Sequence, residues 1–204
     1  TAGAKLLAEL LVVADEDDCS TEIGTMFGDP NAGLQSQLGP RTSFRCFEFG
    51  VQCDNDPNPR AFGPKLGCRP RDNSQFMFEV DRYVTFLRAL KDPTGPAQIV
   101  VAGIIGNFDS ETGEVVVGPD PNNPMFPSVQ KSCFSRDPND PDDGAAPPVR
   151  LKAFLDGFPG RNTMTSVCNE NLQDAMGAIG GQVRNAIGNS CIDATLADDN
   201  DAAP

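Results

Sequence analysis

The residues of this sequence best suited to chemistry are four consecutive acids. Asp15, Glu16, Asp17 and Asp18 follow the apolar run "LLVVA" and lead into Cys19 and Ser20. Like charges at that spacing repel, so they need solvent, a cation, or a backbone that points them apart. Carboxylate and hydroxyl oxygens suit hard divalent cations. Asp15, Asp17 and Ser20 are therefore the candidate metal ligands, for Mg²⁺ or Mn²⁺ ahead of Ca²⁺. The competing reading has the same acids cap the following turn or face water. A second acidic stretch, "DPNDPDDG" at 137–144, fails the spacing of a calcium loop, because Pro141 holds the fifth position from Asp137. It reads as a solvated loop. Arg41, Arg45, Arg60, Arg69 and Arg71 form a basic group suited to pairing with neighbouring acids or to anchoring a ligand.

Composition excludes much else. The chain contains no histidine, which removes Ser-His-Asp and Cys-His catalysis and the commonest zinc ligand. A formal net charge of -13 repels phosphate backbones and anionic lipid, so nucleic acid is not an expected partner. The chain also lacks tryptophan and has one tyrosine, Tyr83, so stacking platforms for sugars or bases are scarce. No phosphate-binding glycine loop or HExxH motif occurs. There is no signal peptide and no apolar run long enough for a membrane span. Both ends are abrupt, and the expectation is that each continues beyond this sequence.

The seven cysteines are Cys19, Cys46, Cys53, Cys68, Cys133, Cys168 and Cys191. None forms a CxxC pair, and they gather in Pro-, Gly- and Asp-rich stretches. That pattern favours disulfides that staple loops, and hence an oxidising compartment.

These residues must be positioned by regular elements. Three apolar runs read as strands: Leu10–Ala14, Gln98–Ile105 and Thr163–Val167. The first two are apolar on both faces, as covered parallel strands are. Helices are predicted over Val80–Leu90, over Pro147–Phe158 with prolines at its start, and over Asn171–Ile187. The last has a stripe of Leu172, Met176, Ile179 and Val183 and a cap at Asn169 or Asn171. Its Gly177, Gly180 and Gly181 suit a close approach of helix to sheet. Alternation of strand and helix with right-handed crossovers gives an α/β fold, a doubly wound Rossmann-like parallel sheet. Two long insertions, residues 19–79 and 106–147, read as disulfide-rich loops. Both are strand-to-helix connections, so they fall at the carboxyl edge, where such sheets bind ligands. Cys19, Cys46, Cys53, Cys68, Cys133 and Cys168 then share one face and form up to three bridges, with Cys53–Cys68 the preferred pair. Cys191 falls at the far end of the last helix and is expected to be unpaired.

The ordered set "LLVVADEDDCS", "SFRCFEFGVQC", "GPKLGCRPR", "VDRYVTFLRALK", "IVVAGIIG" and "VRLKAFLDGFPGRNTMTSVCNENL" resembles secreted or lipid-anchored bacterial proteins of the von Willebrand factor type A (VWA) kind. The resemblance covers nearly the whole chain. It implies a VWA-like domain over 1–192 with its amino-terminal half missing, followed by an acidic linker over 193–204. It also implies a non-enzymatic, extracytoplasmic adhesion or protein-interaction module, at a bacterial surface, that takes a protein ligand at the carboxyl edge. Asp15 matches the family's Asp after the fourth strand, which reaches the metal of a metal-ion-dependent adhesion site. Ala14 and Glu16 depart from that motif, and no Asp-x-Ser-x-Ser is present. The implied metal site is thus complete only in a longer chain, and these residues alone are expected to bind no metal tightly. The partial sheet would leave Leu10–Ala14 as an exposed apolar edge. The alternatives are a secreted metal-dependent hydrolase using the Asp15 carboxylates and a structural surface domain without metal.

Overall fold

The run "IVVAGII" has an apolar or small side chain at every position, so it fits only where both faces of a strand are covered. The computed structural model, which describes residues 8–22, 24–54, 56–90, 99–135 and 143–187, places it at the centre of the parallel sheet. In chain order the elements are β1 (Ala8–Val13), a 3₁₀ turn (Gly24–Phe27), α1 (Phe44–Gly50), β2 (Val51–Asp54) and β3 (Gly63–Pro70). Next come α2 (Val80–Ala89), β4 (Ile99–Ile105), β5 (Val115–Pro119), β6 (Pro127–Val129) and β7 (Cys133–Phe134). The chain continues through β8 (Gly144–Ala145), α3 (Val149–Asp156), β9 (Asn162–Ser166) and α4 (Gln173–Ile187).

The protein is a mixed α/β structure. One sheet is parallel, in the order β1-β4-β9. All seven residues of β4 are buried. Ile99, Val101 and Ile105 meet Val84 of α2 and Phe154, Leu155 and Phe158 at α3. Ala102 and Ile104 point the other way, onto Ala175 and Ile179 of α4. The strand's period of two thus distributes α2 and α3 to one face and α4 to the other. Gly157 lets α3 end against α2, because a Cβ there would lie 2.6 Å from Val84.

The predicted elements are present, with their ends moved by a few residues. Pro147 and Pro148 stand just before α3, and Asn171 Oδ1 accepts the N–H of Gln173 at the start of α4. The apolar stripe of α4 differs from expectation. Ala175 and Ile179 are buried, whereas Leu172 and Met176 are 38% and 55% exposed. A Cβ at Gly177, Gly180 or Gly181 would meet nothing within 4 Å. Close approach to the sheet therefore does not explain those glycines.

The insertions are not merely loops. Together they build a second sheet, antiparallel, in the order β2-β3-β5-β6. Strands from insertions far apart in sequence pair as β3 with β5. Phe44 and Phe47 of α1, Val51, Cys68, Val115, Val117 and Val149 form its core. Val149 opens α3, so this second core is continuous with the helix layer of the first sheet. A short pair, β7 with β8, closes the second insertion.

Three disulfides tie these layers: Cys19–Cys46, Cys53–Cys68 and Cys133–Cys168. The preferred pair is present, and the six loop cysteines account for all three bridges. Cys191, the 193–204 linker and most of the 137–144 acidic stretch lie outside the described residues.

Candidate functional site

The acidic run sits where topology predicts, just past β1 at the carboxyl edge. Ala14 still donates its N–H to Ile104 O, and Asp15 O accepts the N–H of Ala146 in the segment before α3. From there the four acids divide. Asp15 and Glu16 are exposed, while Asp17 and Asp18 turn inward and are half-buried.

Asp17 supplies the cap that α3 lacks. Pro148, at the N-cap position, offers no side-chain hydrogen bond. The Asp17 carboxylate accepts the backbone N–H of Arg150 and Leu151, all at 3.0 Å, and that of Asp18 at 2.9 Å. A carboxylate at a helix amino terminus satisfies orphan donors and complements the dipole. Burial nevertheless dominates, and pushes the Asp17 carboxyl up to about 6.

Asp18 pairs with Arg150. Its Oδ2 accepts from Arg150 Nε at 3.0 Å and Nη2 at 2.9 Å, and its Oδ1 accepts from the Ser20 N–H and hydroxyl. Arg150 is 1% exposed and also donates to Gly50 O and Phe78 O. One guanidinium thereby joins the acidic turn, the end of α1 and the entry to α2. Arg150 did not stand out in the sequence. The available signal was its position four residues before Phe154, on the buried face of the helix.

Two cavities flank this turn. Asp15, Glu16 and Asp17 line a polar pocket of about 260 Å³, with Phe44 and Phe47 of α1, Val129 of β6, Lys131 and Asp143. Asp18 and Ser20 instead line an apolar groove of about 300 Å³ between β1, α2 and α3. Of the three candidate metal ligands, Asp15 and Asp17 share a pocket and Ser20 does not. Asp17 is engaged by backbone donors, and the Ser20 hydroxyl donates to Asp18. Among the described residues no group of three or more His, Cys, Asp or Glu side chains is arranged to hold a metal.

Four of the five arginines in the basic group of the first insertion make contacts within it. Arg45 is 1% exposed and donates to Met26 O and Gly39 O. Arg60 pairs with Glu48 and Arg69 with Asp54. Arg71 donates to Glu48 O and Val51 O. Arg41 is exposed.

No helix among the described residues is long and apolar enough to cross a membrane. The three intramolecular disulfides suit an oxidising, extracytoplasmic environment. Comparison with protein-family models, with curated proteins and with solved structures yields no match.

Proposed function

We propose that this chain is an extracytoplasmic protein-interaction module of VWA-like type, with its ligand face at the carboxyl edge of the parallel sheet. The observation that carries the proposal is the division of the acidic run. Asp17 and Asp18 hold the turn rigid through α3 and Arg150, which presents Asp15 and Glu16 at the mouth of a pocket walled by Phe44 and Phe47. Exposed carboxylates at a polar pocket suit the basic and hydrogen-bonding side chains of a protein ligand. The disulfide-stapled insertions around them limit the ordering cost of binding. The parallel strands with helices on both faces suit the doubly wound, partial sheet that the resemblance implies.

Under this reading the domain is not an enzyme, and a Mg²⁺ or Mn²⁺ ion joins Asp15 only in a longer chain. Calorimetric titration of the 204 residues with either ion is expected to give no tight, stoichiometric binding; such binding would count against the proposal. The decisive comparison is Asp15→Ala with Glu16→Ala in the full-length protein. Loss of protein-ligand capture with unchanged thermal unfolding supports an interaction face. Loss of a hydrolytic turnover would point to the metal-dependent hydrolase, and no change to a structural domain.

A further inference from the structure

A further cavity, of about 700 Å³, adjoins the acidic pocket, and Lys131 and Pro147 line both. It lies at the carboxyl ends of β4 and β9, where parallel α/β sheets bind ligands: Asn107 and Phe108 follow β4, and Ser166 ends β9. The antiparallel sheet supplies the facing wall, with Glu114 and Val116 at β5 and Gln130 after β6. The volume is within the roughly 300–1,000 Å³ of small-molecule sites. Cys133–Cys168 ties the second insertion to the turn after β9, so a covalent link holds the two walls together.

The hydrogens of this lining are already spent. The Thr112 hydroxyl donates to Asp109 Oδ2, that of Ser132 to Ala145 O and that of Ser166 to Cys133 Sγ. Gln130 Nε2 donates to both Pro119 O and Ser128 O. What these groups have left is acceptor capacity: three hydroxyl oxygens and Gln130 Oε1. Two carboxylates add to it. The Glu111 N–H and the Thr112 hydroxyl hold the Asp109 carboxyl below its ordinary value, so it stays charged. Glu114 is exposed, and its carboxylate has no partner among the described residues. Lys131 is the one cation of the lining and is engaged within the protein. Only the Asn107 amide offers a side-chain donor as well as an acceptor. Beside these acceptors lie Phe108, Met164 and Val116, the last 40% exposed.

We propose that this cavity binds an organic cation rich in N–H donors, an alkylguanidinium or alkylammonium, with its charged head at Asp109 and Glu114 and its alkyl stem along Phe108, Val116 and Met164. An anion would meet two carboxylates and find few donors. A neutral polyol would satisfy the acceptors and leave both charges unbalanced. A guanidinium or ammonium group supplies donors and opposite charge together, and the formal -13 of the chain draws cations toward the site. The same head group occurs on arginine or lysine side chains of a peptide and on free polyamines. The proposal stands whether or not the neighbouring pocket takes a protein ligand.

The test follows backbone amide shifts in heteronuclear NMR of the 204-residue chain, disulfides intact. The probes are a blocked Gly-Gly-Arg-Gly-Gly peptide, the same peptide with citrulline for arginine, and spermidine. The arginine peptide is expected to shift residues 107–116 and 130–132 and to saturate at about millimolar concentration. Citrulline keeps the shape and loses the charge, so it should bind at least about tenfold more weakly. Added salt should weaken the arginine complex. Glu114→Gln, on the surface, is expected to cost about tenfold, whereas Glu111→Gln, an equal charge change outside the lining, should stay within about twofold. Tighter binding of the peptide than of spermidine supports a side-chain source, and the reverse supports a free polyamine. No saturable shift with either cation overturns the proposal, as does equal binding of citrulline or an unaffected Glu114→Gln. Shifts confined to residues 15–17 also overturn it, because they put the cation in the neighbouring pocket and leave the interaction face standing.

Discussion

At the residue scale, Arg150 and Asp17 carry the most weight. Arg150 satisfies Asp18, Gly50 O and Phe78 O from a position that is 1% exposed. Arg150→Ala strips all three of a buried donor and is expected to cost about 3–5 kcal/mol in urea unfolding. Asp17 behaves in the opposite sense to a carboxylate held by a salt bridge. Its folded pKa of about 6 lies above the ordinary carboxyl value of 3.8. Between those values the folded state keeps a proton that the unfolded state has released, so the Asp17 contribution to stability falls as pH rises through that window and is constant above it. Asp17→Asn removes the titration. The stability of wild type relative to this variant is therefore expected to drop between about pH 4 and pH 6. The drop should be on the order of 2 kcal/mol, the full shift being discounted for partial exposure. Equilibrium unfolding at stepped pH checks both size and sign; a rise over the same window would show that the N–H donors of α3 outweigh burial.

At the scale of elements, the disulfides and the central strand set the expectations. Cys133–Cys168 closes a separation of 35 residues and Cys53–Cys68 one of 15. Loop entropy predicts a loss of about 4 kcal/mol for removing the former by paired serines and about 3 for the latter, read as unfolding midpoints. The former also clamps β7, in the second insertion, to the turn after β9. The burial of β4 on both faces predicts that Ile99–Ile105 holds the slowest amides in hydrogen exchange, ahead of edge strand β1. Gly106, the residue after β4, is a further test. A Cβ there would run into Ala146 O of the segment entering α3, so Gly106→Ala should destabilise by about 1–3 kcal/mol without touching any side chain of the site. These elements were legible to different degrees. β4 and α2 announced themselves by continuous and helical apolar patterns. β2, β3, β5 and β6 did not, because short strands broken by glycine and proline have no period long enough to register. The buried stripe of α4 was legible in part: Ile179 is buried as expected, but Ala175 joins it on the core side while Leu172 and Met176 are exposed.

At the scale of the whole molecule, local pattern and long-range pairing contributed different things. Local pattern was enough for the alternation of strands and helices around an apolar central strand, and with it the placement of the acidic run just past β1. These follow from periodicity and crossover handedness, which are properties of short stretches and their order. The sequence also determined the strongly acidic surface and, through the absence of histidine, the chemistries that are missing. Tertiary structure alone decided that the two insertions meet as one antiparallel sheet, because β3 finds β5 across α2, β4 and the intervening chain. It alone divided the four acids. Asp17 and Asp18 turn inward because α3, more than a hundred residues away, offers them N–H donors and a guanidinium. Asp15 and Glu16 are left outward with no such partner from that helix. A carboxylate's role is set by the donors and burial around it, and those arrive only when distant segments pack together.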